Sequence, residues 1–215
     1  MGMDERLRAY GAELIGTAWM VAIGTGSVAL GASNLVISLA FGVAVTTAIL
    51  ALRSTSGAHI NPAVSAAFVV TGHLPSRLLP GYVFAQACGA ILGSGLVYAV
   101  LGPTQLAPTV VASSVPLFTA VAIEVGITAA LMASILGVVM WRDESTATVA
   151  VAVGATVAVL AFMCGPLTGA SMNPARTFGP NLLSGSGGLV MYAMSTTAGA
   201  LLVGLMTRWR AGSAP

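Results

Sequence analysis

Six long apolar stretches, separated by short polar turns, run along the chain. They cover about 9–30, 34–53, 80–101, 117–140, 147–167 and 189–208. Each is close to the roughly 20 residues an α-helix needs to cross a bilayer core. Two shorter apolar runs break the rhythm. One opens with Ser56-Gly57-Ala58-His59-Ile60-Asn61-Pro62-Ala63-Val64, between the second and third stretches. The other opens with Thr168-Gly169-Ala170-Ser171-Met172-Asn173-Pro174-Ala175-Arg176, between the fifth and sixth. Asparagine is a favoured helix N-cap, and proline suits the first helical position, where its missing N–H would have had no partner. Gly72 and Gly185 stand about three turns later and are expected to stop these helices. A helix of roughly 11 residues cannot span a bilayer. The pattern predicts an all-α membrane protein with six transmembrane helices and two re-entrant half-helices.

The two halves repeat. Glu13 and Thr17 match Glu124 and Thr128 at an offset of 111, and Asn61 matches Asn173 at 112. Three crossings per copy is an odd number, so the second copy enters the membrane upside down. Inverted three-helix repeats with broken helices meeting at the midplane build pathways across membranes. The expected organisation is a single domain over 1–215, with repeat one at about 9–101, a connecting loop at 102–116 and repeat two at about 117–208. Pro103, Pro108 and Pro116 mark the loop.

Composition agrees: 57% of residues are hydrophobic and 7% charged, against about 25% charged in a soluble domain. Mean hydropathy is +0.95. The many glycines and alanines suit close helix packing within a bilayer. A net charge of +2 with no basic tract argues against nucleic acid as a partner. Cys88 and Cys164 fall inside predicted helices, where neither a disulfide nor a metal site is expected. No catalytic constellation, nucleotide loop or cofactor motif is present, so no enzyme is expected. Arg6 and Arg8 before an apolar run resemble a signal peptide, but Glu13 interrupts that run and the same pattern recurs in the second half. The segment therefore belongs to the fold.

There is no lysine. In the six-helix arrangement Arg6, Arg8, Arg53, Arg77, Arg142, Arg208 and Arg210 fall on one side. The positive-inside rule makes that side cytoplasmic, with both termini inside, in a plasma (inner) membrane. Arg176 breaks the rule, and a charge in so apolar a chain is a functional candidate.

As N-caps, Asn61 and Asn173 turn their side-chain oxygens to backbone N–H groups. Their NH2 groups are then expected to donate into a cavity. Both half-helices would also aim positive ends at this point, each about half an elementary charge. Such a place accepts a neutral oxygen-bearing solute and repels cations. The alternative is a pair of ordinary capped helices in a solid core. Arg176 stands where the first repeat has Val64. It either presents guanidinium donors at an outer constriction or is a structural arginine tied to carbonyls. His59, aligned with Ser171, either lines the cytoplasmic entrance or is hydrogen-bonded within its loop. His73 receives no role. Glu13 and Glu124 are either a proton relay or buried acceptors for loop N–H groups, and their repeat symmetry favours the second.

The strings from Ser56 to Val64 and from Gly165 to Arg176, on paired three-helix repeats, resemble the aquaporin and glycerol-facilitator (major intrinsic protein) family over nearly the whole chain. The resemblance implies a right-handed bundle of six tilted helices around two half-helices, one pore per subunit, and a homotetramer. It also implies an outer selectivity filter at Phe41, Ala161, Ala170 and Arg176. Strict water channels of the family usually carry histidine where Ala161 stands. Glycerol facilitators usually carry an aromatic at Ala170 and aspartate at Thr177. The alanine pair, with Gly165-Pro166 and Ala170-Ser171-Met172, looks more like the nodulin-26-like branch and its bacterial relatives. The commonly mercury-sensitive cysteine of the filter is replaced by Ala170. The resemblance implies a passive channel for water and small uncharged solutes, such as glycerol-like polyols or metalloid acids, that excludes protons and ions. The alternatives are a strict water channel, a secondary transporter, or a closed structural protein of the membrane.

Overall fold

The computed structural model describes residues 2–102, 106–140 and 145–212. Pro103 and Arg142, singled out above, lie outside the described residues. Eight α-helices are present among them: α1 (Met3–Ala29), α2 (Asn34–Ser56), α3 (Pro62–Val70), α4 (Leu79–Leu101), α5 (Leu117–Val139), α6 (Thr146–Thr168), α7 (Pro174–Ser184) and α8 (Leu189–Gly212). Six are long and apolar enough to cross a membrane. The other two, α3 and α7, have 9 and 11 residues and are too short.

The ends of helices depart from the apolar pattern where polar groups cap them. Helix α1 begins at Met3, well before the apolar stretch, because Asp4 and Glu5 occupy its first turn and Gly2 N donates to Glu5 Oε2 at 2.8 Å. Helix α7 ends at Gly185 in the left-handed region, as expected. Helix α3 also stops at its expected glycine, Gly72, which stands in the left-handed region one residue past the C-cap. Its C-cap is Thr71, in a right-handed conformation. Gly72 follows at φ +80°, where the chain reverses, and the N–H groups of His73 and Leu74 both return to Phe68 O. Pro166 lies inside α6 and cannot donate to Phe162 O. Asn34 Nδ2 fills that vacancy at 2.9 Å.

Helix pairing is most extensive for α1 with α4 and α2 with α6, followed by α1 with α2 and α5 with α8. Glycine makes these approaches possible. A Cβ on Gly89 would lie 2.3 Å from Leu14 O, and one on Gly199 would lie 2.3 Å from Val125 O, so the α1–α4 and α5–α8 seams match. Between the halves, Cβ atoms on Gly42 and Gly154 would each strike the other's carbonyl, at 2.7 and 2.6 Å. Helices α2 and α6 therefore cross backbone to backbone, as membrane helices do at small residues. Large apolar side chains such as Phe84, Phe118, Val190 and Met194 are exposed around the outside. The interior carries the polar groups, including Glu13, Gln86, Glu124 and Asn181 at 0% exposure. Apolar outside and polar within suits a lipid solvent.

Candidate functional site

Each short helix is preceded by a non-helical loop held on one carboxylate. Glu13 Oε1 accepts from Ser56 Oγ (2.7 Å) and His59 N (2.9 Å), and Oε2 from Ile60 N (2.6 Å). Glu124 Oε1 accepts from Thr168 Oγ1 (2.7 Å) and Ser171 N (2.9 Å), and Oε2 from Met172 N (3.0 Å). Tyr82 and Tyr192 close the loops from behind, their hydroxyls donating to Ser56 O (2.7 Å) and Thr168 O (2.6 Å). Four non-glycine residues adopt positive φ here: Ala58 (50°), Ile60 (44°), Ala170 (42°) and Met172 (54°). For β-branched Ile60 this conformation is costly. It persists because the carboxylate binds the very N–H groups that it presents.

Asn61 and Asn173 then cap α3 and α7. Asn61 Oδ1 accepts from Ala63 N at 2.9 Å, and Asn173 Oδ1 from Ala175 N at 2.9 Å. The expectation that both NH2 groups point freely into a cavity needs correction. Asn61 Nδ2 donates to Met172 O and Asn173 Nδ2 to Ile60 O, each at 2.8 Å. The two helix N-termini abut, and the buried carbonyls before each asparagine require a donor. Each amide therefore spends one N–H latching the opposite loop; Asn61 keeps its second, whereas Asn173 directs its second to sulfur. The second asparagine amide also lies 3.7 Å from Met20 Sδ.

A cavity of about 560 Å³ borders both asparagines and extends away from them in two directions. Phe41, Ala161, Ala170 and Arg176 all line it. Arg176 Cζ lies 4.8 Å from the centre of the Phe41 ring. Its guanidinium donates to Gly169 O at 3.1 Å and to the Thr109 hydroxyl. The arginine is thus tied to a carbonyl while it also borders the cavity. His59 likewise borders the cavity, and its Nδ1 lies 3.0 Å from Ser65 Oγ. Phe68 and Tyr82 flank its ring at 4.6 and 5.1 Å. His73 also borders the cavity and lies 5.5 Å from Phe68. Most of the remaining wall is apolar, with Val45, Ile49, Val153 and Val157 among its residues.

Sequence reasoning missed Thr109 and Asn181. The segment around Thr109 folds into the mouth of the cavity. Fully buried Asn181 clamps it there, accepting from Thr109 N (2.8 Å) and donating to Thr109 O (2.9 Å) and Gly187 O (2.8 Å). The available signal was Asn181 itself, a polar residue inside an apolar half-helix. Gln86 was also missed. Its Nε2 bridges Glu13 Oε2 (2.8 Å) and Ser65 Oγ (3.0 Å).

Comparison with known proteins gives a consistent result. The family profile described as "Major intrinsic protein" matches residues 3–206. The chain is 37% identical over 203 residues to "Aquaporin NIP1-1" of Zea mays, covering 88% of this chain and 70% of that protein. It is 32% identical over 211 residues to "Glycerol uptake facilitator protein-like 6" of Lactiplantibacillus plantarum, covering 94% and 97%. Among solved structures, the aquaglyceroporin of Plasmodium falciparum shares the fold with a TM-score of 0.83 at 24% identity, covering 97% of this chain and 96% of that one.

Proposed function

The chain belongs to the major intrinsic protein family of membrane channels, and on that premise we propose that it conducts small uncharged polyols or metalloid acids as well as water. The coarser statement stands on the family: this is an integral membrane protein, a passive channel for water and small solutes and not an enzyme. The finer reading draws its main support from one observation. A single cavity borders both capping asparagines and the four residues Phe41, Ala161, Ala170 and Arg176. We read those four as the selectivity filter. Two of its corners are alanines, the smallest side chains that could stand there, and on this reading they leave room beside Phe41 for a solute larger than water. The names of the relatives, aquaporin and glycerol uptake facilitator, point the same way.

In this reading a solute exchanges its hydration for donors on Arg176 and on the remaining N–H of Asn61, and competes with Met20 Sδ for that of Asn173. Carbonyls of Ala58, His59, Ala170 and Ser171 supply acceptors, since non-helical backbone is tolerated at membrane depth where it faces a wet path. The apolar wall binds nothing, so the solute leaves easily. Protons and cations are excluded by the Arg176 charge and by two helix N-termini that meet head to head. Glu13 and Glu124 serve as scaffolds. Each is occupied by loop donors, which favours a structural role over that of a coupling site.

We further assign two inverted repeats to one channel domain, both termini to the cytoplasmic side of the plasma (inner) membrane, and a homotetrameric assembly. The test is light scattering of proteoliposomes shrunk with sucrose and then exposed to a glycerol gradient. Fast shrinkage followed by protein-dependent re-swelling is the expected result. Fast shrinkage without re-swelling would restrict the channel to water.

A further inference from the structure

We propose that Gly24, on α1 behind the cavity wall, sets the width of the filter by seating the Phe41 ring; this rests on Phe41 being a filter residue. Gly24 is buried and does not line the cavity. A Cβ on it would lie 2.1, 2.3 and 2.4 Å from three carbons of the Phe41 ring. The ring therefore occupies the volume of the missing side chain. Phe41 itself is 5% exposed. It is held between Gly24 on one side and the Arg176 guanidinium, 4.8 Å from its centre, on the other. Arg176 in turn is fixed by Thr109 and Gly169.

The matching place in the second half is built the other way round. Ile135 on α5 corresponds to Gly24, and Val153 on α6 corresponds to Phe41, at the repeat offsets of 111 and 112. Both Ile135 and Val153 line the cavity themselves. There the first helix supplies bulk and the second supplies little. At the filter, the first helix supplies none, and the contribution of this helix pair to the width is governed by how far the Phe41 ring recedes into α1.

Replacing Gly24 by alanine forces a ring carbon at 2.1 Å back by about 1.5 Å to reach contact distance. The ring turns on two side-chain bonds, whereas the helix backbone opposite is rigid, so the ring is what moves. Arg176 blocks one direction, and the cavity is the open one. The ring enters the path and narrows it. Alanine is the better helix former, so lost flux would not reflect a weakened helix.

The experiment measures water and glycerol permeability of proteoliposomes carrying the full chain as native protein, Gly24→Ala, Phe41→Ala and Gly24→Ala/Phe41→Val. Gly24→Ala is expected to lower glycerol permeability about tenfold and water permeability about threefold or less, because pore diameter discriminates most strongly against the larger solute. The double variant is expected to recover glycerol flux, since valine leaves the seat empty. Unchanged permeabilities in Gly24→Ala, with raised glycerol flux in Phe41→Ala, would overturn the proposal and leave the filter reading intact. Unchanged permeabilities in both would overturn the filter reading as well. If native protein passes only water, the same comparison is read on water flux. If Gly24→Ala fails to assemble, recovery of folded protein in the double variant supports the seat, and continued failure contradicts it.

Discussion

In the first half, Ser56 Oγ, His59 N and Ile60 N converge on Glu13; in the second, Thr168 Oγ1, Ser171 N and Met172 N converge on Glu124. Both loops put the same two positions at positive φ. Both asparagine caps have φ −157°, with ψ 117° and 115°. Against this sameness the lining diverges. Arg176, Phe41 and Ala161 in one mouth correspond to Val64, Val153 and Ile49 in the other, while Ala170 and Ala58 stay alike, and all eight border the cavity. The scaffold that stores strained backbone is therefore built twice. Three of these four cavity-lining pairs are where the copies part. Under the proposed reading, this divergence between otherwise matched positions is what sets the filter apart from the opposite mouth.

The largest effect expected from breaking this comparison is the loss of either carboxylate. Glu13→Ala and Glu124→Ala each strand three loop donors that are buried, at about 1–3 kcal/mol apiece. That is a large part of a typical folding stability of about 5–15 kcal/mol. Both variants should fail to give monodisperse protein on size exclusion in detergent, Glu13→Ala the more severely because it also strands Gln86 Nε2. A folded Glu124→Ala with normal water flux would remove the scaffold role from that residue.

A smaller effect sharpens the comparison. Thr17 and Thr128 are matched and fully buried, yet Thr128 Oγ1 donates to Glu124 O at 2.7 Å while Thr17 Oγ1 finds no partner among the described residues. Thr128→Val should cost about 1 kcal/mol. Thr17→Val should be neutral or stabilising, because it removes a buried hydroxyl without a hydrogen bond. Thermal unfolding followed by circular dichroism orders the two, and the reverse order would contradict the assignment.

Much of this architecture was legible in the chain. Asn-Pro is a local signal, since capping and the missing proline N–H act within one turn, so both short helices could be read from their own residues. Glu13 and Glu124 stood out because a carboxylate in an apolar run needs an explanation. The contacts that cross between segments were not legible. Asn181 binds the backbone of Thr109, 72 positions away, and no periodicity announces such a pair. The asparagine latch was hidden for the same reason. Each cap is local, but its second partner lies in the other half, at Met172 or Ile60. Gly24 looked like one of many small residues. Only the position of the Phe41 ring distinguishes it. The early start of α1 was missed because hydropathy marks the membrane-buried part of a helix and not its polar first turns.

The most direct test of the central claim exchanges matched residues between the two mouths. Ala161 and Ile49 correspond across the repeats and both face the cavity. The ratio of glycerol to water permeability would be measured for Ala161→Ile and for Ile49→Ala beside the native channel. Added bulk at Ala161 should lower the ratio severalfold, because pore width limits the larger solute first, while added room at Ile49 leaves it unchanged. A ratio that moves with Ile49 and stays fixed with Ala161 would place selectivity in the other mouth and contradict the account.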